Sequence, residues 1–315
     1  MSAARTLPAA ALRSSDLRSL PKNAFKVAAA LDAAAVLGLL YMVHEAQWVR
    51  RVDRRLEAPA AAADLDGLTI AQLSDFHVGF RPSFNLRAMR KAVDMALAAR
   101  PDLVLVTGDF ACGPHGRAEL QRQLRRLADA APLGVFGVLG NHDHGDSKAP
   151  FVQPTDPRAI EACGVRLLDN GTASVKVGAA TVQIGGVDDT DGGHDDLPAV
   201  LAALDRRPGV LRILLTHHAA VVLRTEPGDF HIALAGDTHG GQIRLPLPGR
   251  RILLSDPSAP FAEGAYDVGG GRRLYVTRGV GTSMLPLRAF CRPEIVVFHV
   301  EAGAPAAAGS AGAST

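Results

Sequence analysis

The fold is decided by the stretch Leu68-Thr-Ile-Ala-Gln-Leu-Ser-Asp-Phe-His77, in which a short apolar run stops at an aspartate and a histidine. Two later stretches repeat the arrangement: Asp102-Leu-Val-Leu-Val-Thr-Gly-Asp109 and Gly134-Val-Phe-Gly-Val-Leu-Gly-Asn-His-Asp143. Near-continuous apolar runs of this length are typical of strands that are buried on both faces. The sequence therefore predicts three buried strands, each followed directly by polar side chains that can bind a metal ion.

Segments of helical period connect these strands. Residues 86–100 and 117–130 carry apolar side chains at helical spacing, the second with arginines on its outer face. The alternation of strand and helix predicts a parallel sheet with right-handed crossovers, so the three strand ends lie at one edge. Ligands of open α/β sheets bind at that edge.

The second half of the chain repeats this arrangement of an apolar strand followed by polar side chains that can bind a metal ion. Residues 210–215 lead into His217, and residues 231–235 lead into Asp237 and His239, whose side chains would share a face on extended backbone. The same spacing pairs the aspartate and histidine of 75–77. There are thus five polar clusters, at 75–77, 108–109, 140–143, 216–218 and 236–239. Their carboxylate, amide and imidazole groups outnumber the ligands of one ion, which predicts a two-metal hydrolase.

Further strands complete the expected architecture. Residues 173–177 and 181–187 alternate around Gly178 as a hairpin does, and strands are also expected at 251–254, 273–277 and 294–300. The predicted fold class is α/β: a four-layer α/β/β/α sandwich of two mixed sheets flanked by helices, with the metals at one end.

Each candidate ligand also has an ordinary explanation. A lone aspartate at a strand end is usually a turn or helix cap, but caps do not explain five clusters at successive strand ends. His218 remains an alternative to His217 as the ligand. Other polar residues are expected to be solvated or to lie in surface ion pairs, although the arginines could also meet an anionic substrate. They are His115, His144, His194, His231, the acidic segment 188–196, Arg278 and Arg288.

The five clusters, in this order, resemble the calcineurin-like metallophosphoesterase superfamily, whose pattern is D-x-H, GD, GNH(D/E), H and GHxH. The resemblance covers about residues 66–300. Residues 236–246, 274–283 and 292–295 look like the bacterial, often membrane-associated phosphodiesterase branch. That branch includes enzymes that hydrolyse a nucleotide-linked lipid pyrophosphate.

The resemblance implies a role for each matching residue. One ion would be held by Asp75, His77 and His239, Asp109 would bridge both ions, and Asn141 and His217 would hold the second. The first histidine of GHxH is Asp237 in this chain. An aspartate can bind the second ion through oxygen, and it would favour manganese or magnesium over zinc.

The resemblance also implies the chemistry. Two divalent metal ions, with manganese favoured and iron, zinc and magnesium left open, would supply a metal-bridging hydroxide that attacks phosphorus. His142 matches the catalytic histidine near the leaving group, with Asp143 orienting it. The expected function is a dinuclear metal-dependent hydrolase of phosphoesters, either phosphodiesters or pyrophosphates, lipid-linked ones included. The alternative is a non-catalytic or regulatory phosphate-ligand-binding protein whose second metal site is impaired by Asp237.

Composition limits the partners. The chain has 315 residues, 47% of them hydrophobic, enough for one large core with appendages. A net charge of +2 without a long basic block does not provide the field that nucleic-acid binding needs. The expected partner is therefore a phosphorylated small molecule or a lipid-linked substrate, and the oligomeric state is left open.

The N-terminal part predicts a location. Residues 27–43 form an apolar run at the short limit for a bilayer span, and Asp32 within it costs about 2.5–3.5 kcal/mol at the membrane centre. We expect membrane association through this segment, on a side left open. An amphipathic helix packed on the catalytic domain explains the same residues. The expected organisation is a polar segment and anchor helix at 1–57, a linker at 58–65, the catalytic domain at 66–300 and a disordered tail at 301–315.

Overall fold

The computed structural model describes residues 22–79, 84–147, 152–247, 250–253 and 259–303. It divides into two units, residues 1–41 and residues 42–315. Helix α1, Lys22–Ala46, begins in the first unit, and its last turn from Met42 belongs to the second. Among the described residues, one helical stretch, Phe25–Ala46, is long and apolar enough to cross a membrane, with a mean hydropathy of 1.8.

The second unit is built on two six-stranded sheets. Its longer helices are α2 (Asn85–Ala98) and α3 (Arg117–Ala130), and its shorter ones are α4 (Asn141–His144), α5 (Pro157–Glu161) and α6 (Leu197–Ala203). Its strands are β1 (Arg50–Ala58), β2 (Thr69–Leu73), β3 (Leu103–Thr107), β4 (Val135–Val138), β5 (Val165–Leu167), β6 (Thr172–Val177), β7 (Ala180–Val187), β8 (Val210–Thr216), β9 (Ile232–Ala235), β10 (Arg244–Leu247), β11 (Arg250–Leu253), β12 (Gly264–Gly269), β13 (Arg272–Val276) and β14 (Glu294–Ala302).

The first sheet has the order β1-β14-β2-β3-β4-β5, and its only antiparallel contact among the described strands is that between β14 and β2. The second sheet has the order β12-β13-β9-β8-β7-β6, with parallel inner strands and antiparallel pairs at its two edges. Strands β2 and β3 of the first sheet are parallel to each other, as are β8 and β9 of the second, so each pair ends at one edge. That topology brings the polar clusters together.

Three apolar clusters hold the layers together. Ile70 and Leu105 of the first sheet pack with Ile213 and Leu234 of the second in the cluster between the sheets. The outer face of the first sheet is covered by α2, α3 and α5, and that of the second by α6 and the 3-10 helix Ala219–Arg224. Each fully buried aliphatic side chain contributes about 1.5–3 kcal/mol. The predicted four-layer α/β/β/α sandwich of two mixed sheets is confirmed.

The structure corrects two of the expected boundaries. Residues 58–65 are not a linker: Ala58 ends β1, and the following 3-10 helix, Ala60–Leu65, buries Ala62 and Leu65 completely. Strand β1 itself pairs with β14 along its whole length. At the other end, Glu301 and Ala302 belong to β14, while residues 304–315 of the expected tail lie outside the described residues, as do residues 1–21.

The half-buried imidazole of His231 makes folding stability depend on pH. Its Nδ1 accepts a hydrogen bond of 2.9 Å from the backbone N–H of Arg212. Burial, together with the Arg212 charge, lowers the pKa of His231 to about 4. The folded state thus keeps the ring neutral where the unfolded chain protonates it, so its stabilising contribution is complete above pH 6.5 and is lost as the pH falls toward 4.

We therefore expect His231→Asn, whose amide oxygen can replace Nδ1 as the acceptor, to flatten the acid side of the stability profile. Urea unfolding at pH 7.5 and pH 5 measures this: the free energy of unfolding should fall less between the two pH values in the variant than in the wild type. Parallel profiles would contradict the assignment.

Candidate metal centre

The first group of ligand-type side chains follows β2 and β9. Asp75, His77 and His239 each place one ligand atom within 4.8 Å of the others, and all three side chains are buried. The Nε2 atoms of His77 and His239 lie 2.8 Å apart, and Asp75 Oδ1 lies 3.7 Å from Nε2 of His239. The structure thus brings together the three residues that were expected to hold one ion.

Asp109 lies between the two halves of the site. Its Oδ2 is 3.2 Å from Nε2 of His77 and 3.3 Å from Nε2 of His217, and its side chain is 2% exposed. A second set consists of His217, His218 and Asp237, with Asp237 Oδ1 3.8 Å from Nε2 of His217. A single carboxylate oxygen therefore contacts an imidazole of each half, the position that a bridging ligand needs.

The donor atoms fit divalent metal ions. The side chain of His217 donates Nδ1–H to the Thr107 carbonyl at 2.7 Å, which leaves the Nε2 lone pair for a metal. Among the described residues, this Nε2, Asp75 Oδ2 and Asn141 Oδ1 are buried without a hydrogen-bond partner. Buried acceptors that face no proton donor are costly, and a cation removes that cost. Residues 77, 109, 142, 237 and 239 also line an open cavity of about 530 Å³.

The electrostatics of the site are those of crowded, buried acids. Burial raises the pKa of Asp75 to about 7, with the neighbouring carboxylates of Asp109 and Asp237 acting in the same direction. Burial opposes the imidazolium of His217, but the carboxylates, Asp109 first, raise its pKa well above the ordinary value. The site therefore needs positive charge, which protons or metal ions can supply.

The backbone at the ligands is left-handed, not extended as expected from their spacing. The φ angles are 56° at Asp75, 45° at His77, 56° at Asp109, 69° at Asp237 and 50° at His239. Non-glycine residues adopt this region at a cost of about 1–3 kcal/mol each. Hydrogen bonds between the loops fix the conformation: the N–H of Asp75 donates to Gly108 at 3.0 Å, and that of His77 donates to Asp109 at 3.0 Å. Strand ends thus turn sharply to aim several side chains at one point.

His142 and Asp143 lie in α4 after β4, and their side chains have different hydrogen-bond partners. The Asp143 carboxylate accepts hydrogen bonds from the N–H groups of Phe110, Ala111 and Gly140 and from the Thr155 hydroxyl. These hydrogen bonds hold together the loops around Asp109. They correct the prediction that Asp143 orients His142. The partner of His142 Nε2 is Ser147 Oγ at 2.9 Å.

The acidic segment 188–196 is not simply solvated, and His218 does not point away from the site. Asp189 is fully buried, and its Oδ1 lies 2.9 Å from Nδ1 of His218, whose Nε2 is 3.5 Å from Oδ1 of Asp237. Burial disfavours the charged form of His218, yet the carboxylates of Asp189 and Asp237 raise the pKa of this histidine to about 9. A buried histidine thus lies among the second group of ligand-type side chains.

Two other histidines have partners that the sequence did not predict. The rings of His144 and His194 stack with their centroids 4.0 Å apart. Nε2 of His144 lies 2.8 Å from Oδ1 of Asp188, and Nε2 of His194 lies 2.7 Å from Oδ2 of Asp146. This stack joins the loop after β7 to the loop after β4. No spacing in the sequence reveals it, because the two histidines are brought together only by the sheet order.

Arg288 is not a surface residue. It is fully buried, its Nη1 donates to the carbonyls of His239 and Cys291 at 3.3 Å, and its Nη2 lies 3.1 Å from Nδ1 of His239. Arg278 does form ion pairs, with Glu263 and with Glu294. Arg288 therefore supports a proposed ligand, and a single basic residue late in the chain gave no signal of this.

A fold of two facing mixed sheets with carboxylates and imidazoles gathered at the strand ends is the frame of a metal-dependent hydrolase. A model of the calcineurin-like phosphoesterase domain matches residues 68–241. The chain belongs to this family, and it is a metal-binding hydrolase. The family generally uses two divalent metal ions, in keeping with the clustered aspartates and histidines.

Three relatives show the breadth of the likeness. The metallophosphoesterase YkuE of Bacillus subtilis is 30% identical over 82% of this chain and 87% of its own. The phosphodiesterase YaeI of Escherichia coli is 29% identical over 89% and 99%, respectively. The UDP-2,3-diacylglucosamine pyrophosphatase LpxG of Chlamydia muridarum is 27% identical over 86% and 95%.

The close packing around the Asp109 carboxylate predicts that Gly140 cannot be replaced by a larger residue without disturbing the site. Gly140 has φ −117°, which alanine tolerates, but an added Cβ would lie 2.8 Å from Nε2 of His217 and clash with Oδ1 of Asp109. Overpacking of this kind costs about 1–3 kcal/mol. We expect Gly140→Ala to weaken manganese binding about tenfold or more, measured by isothermal titration.

The matched control is Gly171→Ala, because the nearest atom to a Cβ there is the Asp169 carbonyl oxygen at 3.6 Å. That variant should bind manganese like the wild type. Equal affinities for the Gly140 variant and the control would show that the space between Asp109 and His217 does not hold a metal.

Proposed function

We propose that this protein hydrolyses phosphodiester or pyrophosphate bonds with two divalent metal ions at the strand-end site. The observation that carries the proposal is the position of Asp109 Oδ2, 3.2 and 3.3 Å from imidazoles of the two ligand sets. A carboxylate shared in this way could hold two divalent ions at once. The proposed ligands are Asp75, His77 and His239 for one ion, Asn141, His217 and Asp237 for the other, and Asp109 for both.

The residues of the chain define what a substrate meets. When bound, the two ions supply Lewis-acid stabilisation of the phosphoryl oxygens and an activated water. His142 lines the cavity beside His77, with ring centroids 4.5 Å apart. Burial lowers the pKa of His142, so its ring is neutral at pH 7 with one proton to share. We assign His142 to the leaving oxygen, where that proton stabilises developing charge.

The substrate is proposed from the cavity wall and from the relatives. Ile243, Met284 and Leu285 line the cavity together with the ligand residues, so one side of the site is apolar. Relatives over most of this chain's length are named as a phosphodiesterase and as a pyrophosphatase of a diacylated nucleotide sugar. An amphiphilic phosphoester, with its phosphate on the metals and its apolar part on this wall, suits both observations.

We also propose that residues 42–303 form the catalytic unit and that α1 attaches it to a membrane. The 3-10 helix Ala60–Leu65 and strand β1 are parts of that unit's core and first sheet. Residues 25–41 of the candidate span Phe25–Ala46 have exposed side chains.

The direct test is metal content and turnover of the full chain purified with manganese. We expect about two ions per chain and hydrolysis of bis-p-nitrophenyl phosphate. Asp109→Asn should reduce turnover by more than the 10- to 100-fold typical of outer-shell partners, because it removes a charge shared by both ions. The control is Asp267→Asn on the exposed face of β12, where the amide oxygen can still accept from Gly269. Full turnover without bound metal would overturn the proposal.

Asp237 favours a second candidate function, a regulatory phosphate-binding protein with an impaired second site. Its carboxylate lies near His218, which competes with a metal for it. If the enzyme assignment is right, Asp237→His should leave manganese-dependent turnover equal or lower and should raise zinc occupancy, since imidazole suits zinc better than carboxylate does. Elemental analysis and the same hydrolysis assay measure both. A large gain in turnover would instead show that the native second site is impaired.

A further inference from the structure

Exposed apolar side chains of the second unit are concentrated near one loop. Among the described residues from Met42 onward, six large hydrophobic side chains are more than a third exposed: Trp48, Phe84, Leu223, Met284, Leu285 and Phe290. Three of them lie within residues 284–290, and Trp48 lies two residues after α1 ends. We call Trp48, Met284, Leu285 and Phe290 the apolar rim. Clusters of this kind on a soluble surface mark a binding face.

The loop that carries the rim is bonded to the last turn of α1. The Met42 carbonyl accepts the N–H of Arg288 at 3.1 Å. The buried carboxylate of Glu45 accepts the N–H groups of Phe290 at 3.0 Å and Cys291 at 2.5 Å. Hydrogen bonds to a buried carboxylate are stronger than those between neutral groups, so this junction is firm. The loop is therefore fixed at the point where the apolar helix ends.

Cations surround the same junction. Lys91 Nζ donates to the Gln47 carbonyl at 2.9 Å, and Arg292 Nε donates to the Trp48 carbonyl at 3.0 Å. The Arg292 guanidinium also lies 3.9 Å above the Trp48 ring. Tryptophan with lysine and arginine at the end of an apolar helix is the composition found at membrane interfaces, where basic groups attract anionic headgroups.

The rim is also part of the wall of the metal cavity. Met284 and Leu285 line it together with His77 and Asp109. Gln242 fixes this part of the loop, because its amide donates to the carbonyls of Ser283 and Leu285 at 3.1 Å and accepts the N–H of Ser283 at 2.8 Å. One short loop thus joins the helix end to the mouth of the site.

We infer that the apolar rim rests on the surface of a lipid bilayer, at the level where α1 leaves it, and that the metal cavity opens at that surface. The occupant of the rim is a bilayer with anionic headgroups, to which Lys91 and Arg292 are complementary. Combined with the proposed function, this placement means that the phosphate of an amphiphile can reach the metals while its apolar part stays in the lipid. The surface assignment itself does not depend on catalysis.

The test uses the full chain in vesicles of phosphatidylcholine and phosphatidylglycerol that contain a headgroup-spin-labelled lipid. Cys112, Cys163 and Cys291 are buried, so an introduced surface cysteine can be labelled selectively with an environment-sensitive fluorophore. Met284→Cys is the reporter, and Leu285→Cys is a second reporter of the same rim. Leu223→Cys is the matched control, since Leu223 is 67% exposed against 71% for Met284 but belongs to the 3-10 helix Ala219–Arg224, which covers the outer face of the second sheet.

We expect the rim labels to be quenched several-fold more strongly than the Leu223 label and to shift their emission toward shorter wavelength. Equal quenching at all positions, quenching at Leu223 alone, or failure of the protein to float with the vesicles would overturn the inference. Hydrolysis of soluble bis-p-nitrophenyl phosphate by the unlabelled wild type reports the enzyme assignment separately. A rim that contacts lipid in a protein without turnover would leave this inference standing and remove only the proposed function.

Discussion

One constraint shapes the site: several acidic groups are buried together, so positive charge must lie close to them. Asp75 and Asp109 are almost completely buried, and Asp109 shares one oxygen between His77 and His217. Desolvating charges costs several kcal/mol per ion unless opposite charge is near. Three features hold these groups in place: the left-handed loops that carry the proposed ligands, the glycines packed against those side chains, and the hydrogen bonds of Asp143 to the loops around Asp109. Positive charge from protons or metal ions offsets this cost.

The arrangement of strands was readable from the sequence because apolar runs and helical periods are local signals. Strands β2, β3, β4, β8 and β9 lie within two residues of their predicted bounds, and the proposed ligand residues lie just after them. Strand β1 was missed because its two pairs of arginines and its mostly exposed side chains hide the pattern of a buried strand, and its partner β14 comes more than 200 residues later. Pairing over such a distance leaves no local pattern.

The same distinction separates the ligands from the residues that support them. Ligand identities are fixed by chemistry, so their types and order were recognisable. Supporting contacts are fixed by geometry: Asp189 meets His218, and Arg288 meets His239, only through the sheet order. The spacing argument for Asp75 and His77 failed for a related reason, since it assumed extended backbone where the chain turns left-handed. Orientation of a side chain beyond a strand end cannot be read from residue spacing alone.

Hydrogen bonds at the end of α1 connect the proposed membrane helix with the candidate metal centre. Glu45 holds the N–H of Cys291, and the Cys291 thiol in turn donates to the His239 carbonyl at 3.1 Å. Arg288, whose N–H bonds the same helical turn, also donates to that carbonyl. A proposed ligand is therefore supported by the very residues that fasten the helix. The last turn of α1, from Met42 onward, is thus hydrogen-bonded into the same framework that supports His239, which links the proposed surface placement of the loop 284–290 to the geometry of the candidate metal centre.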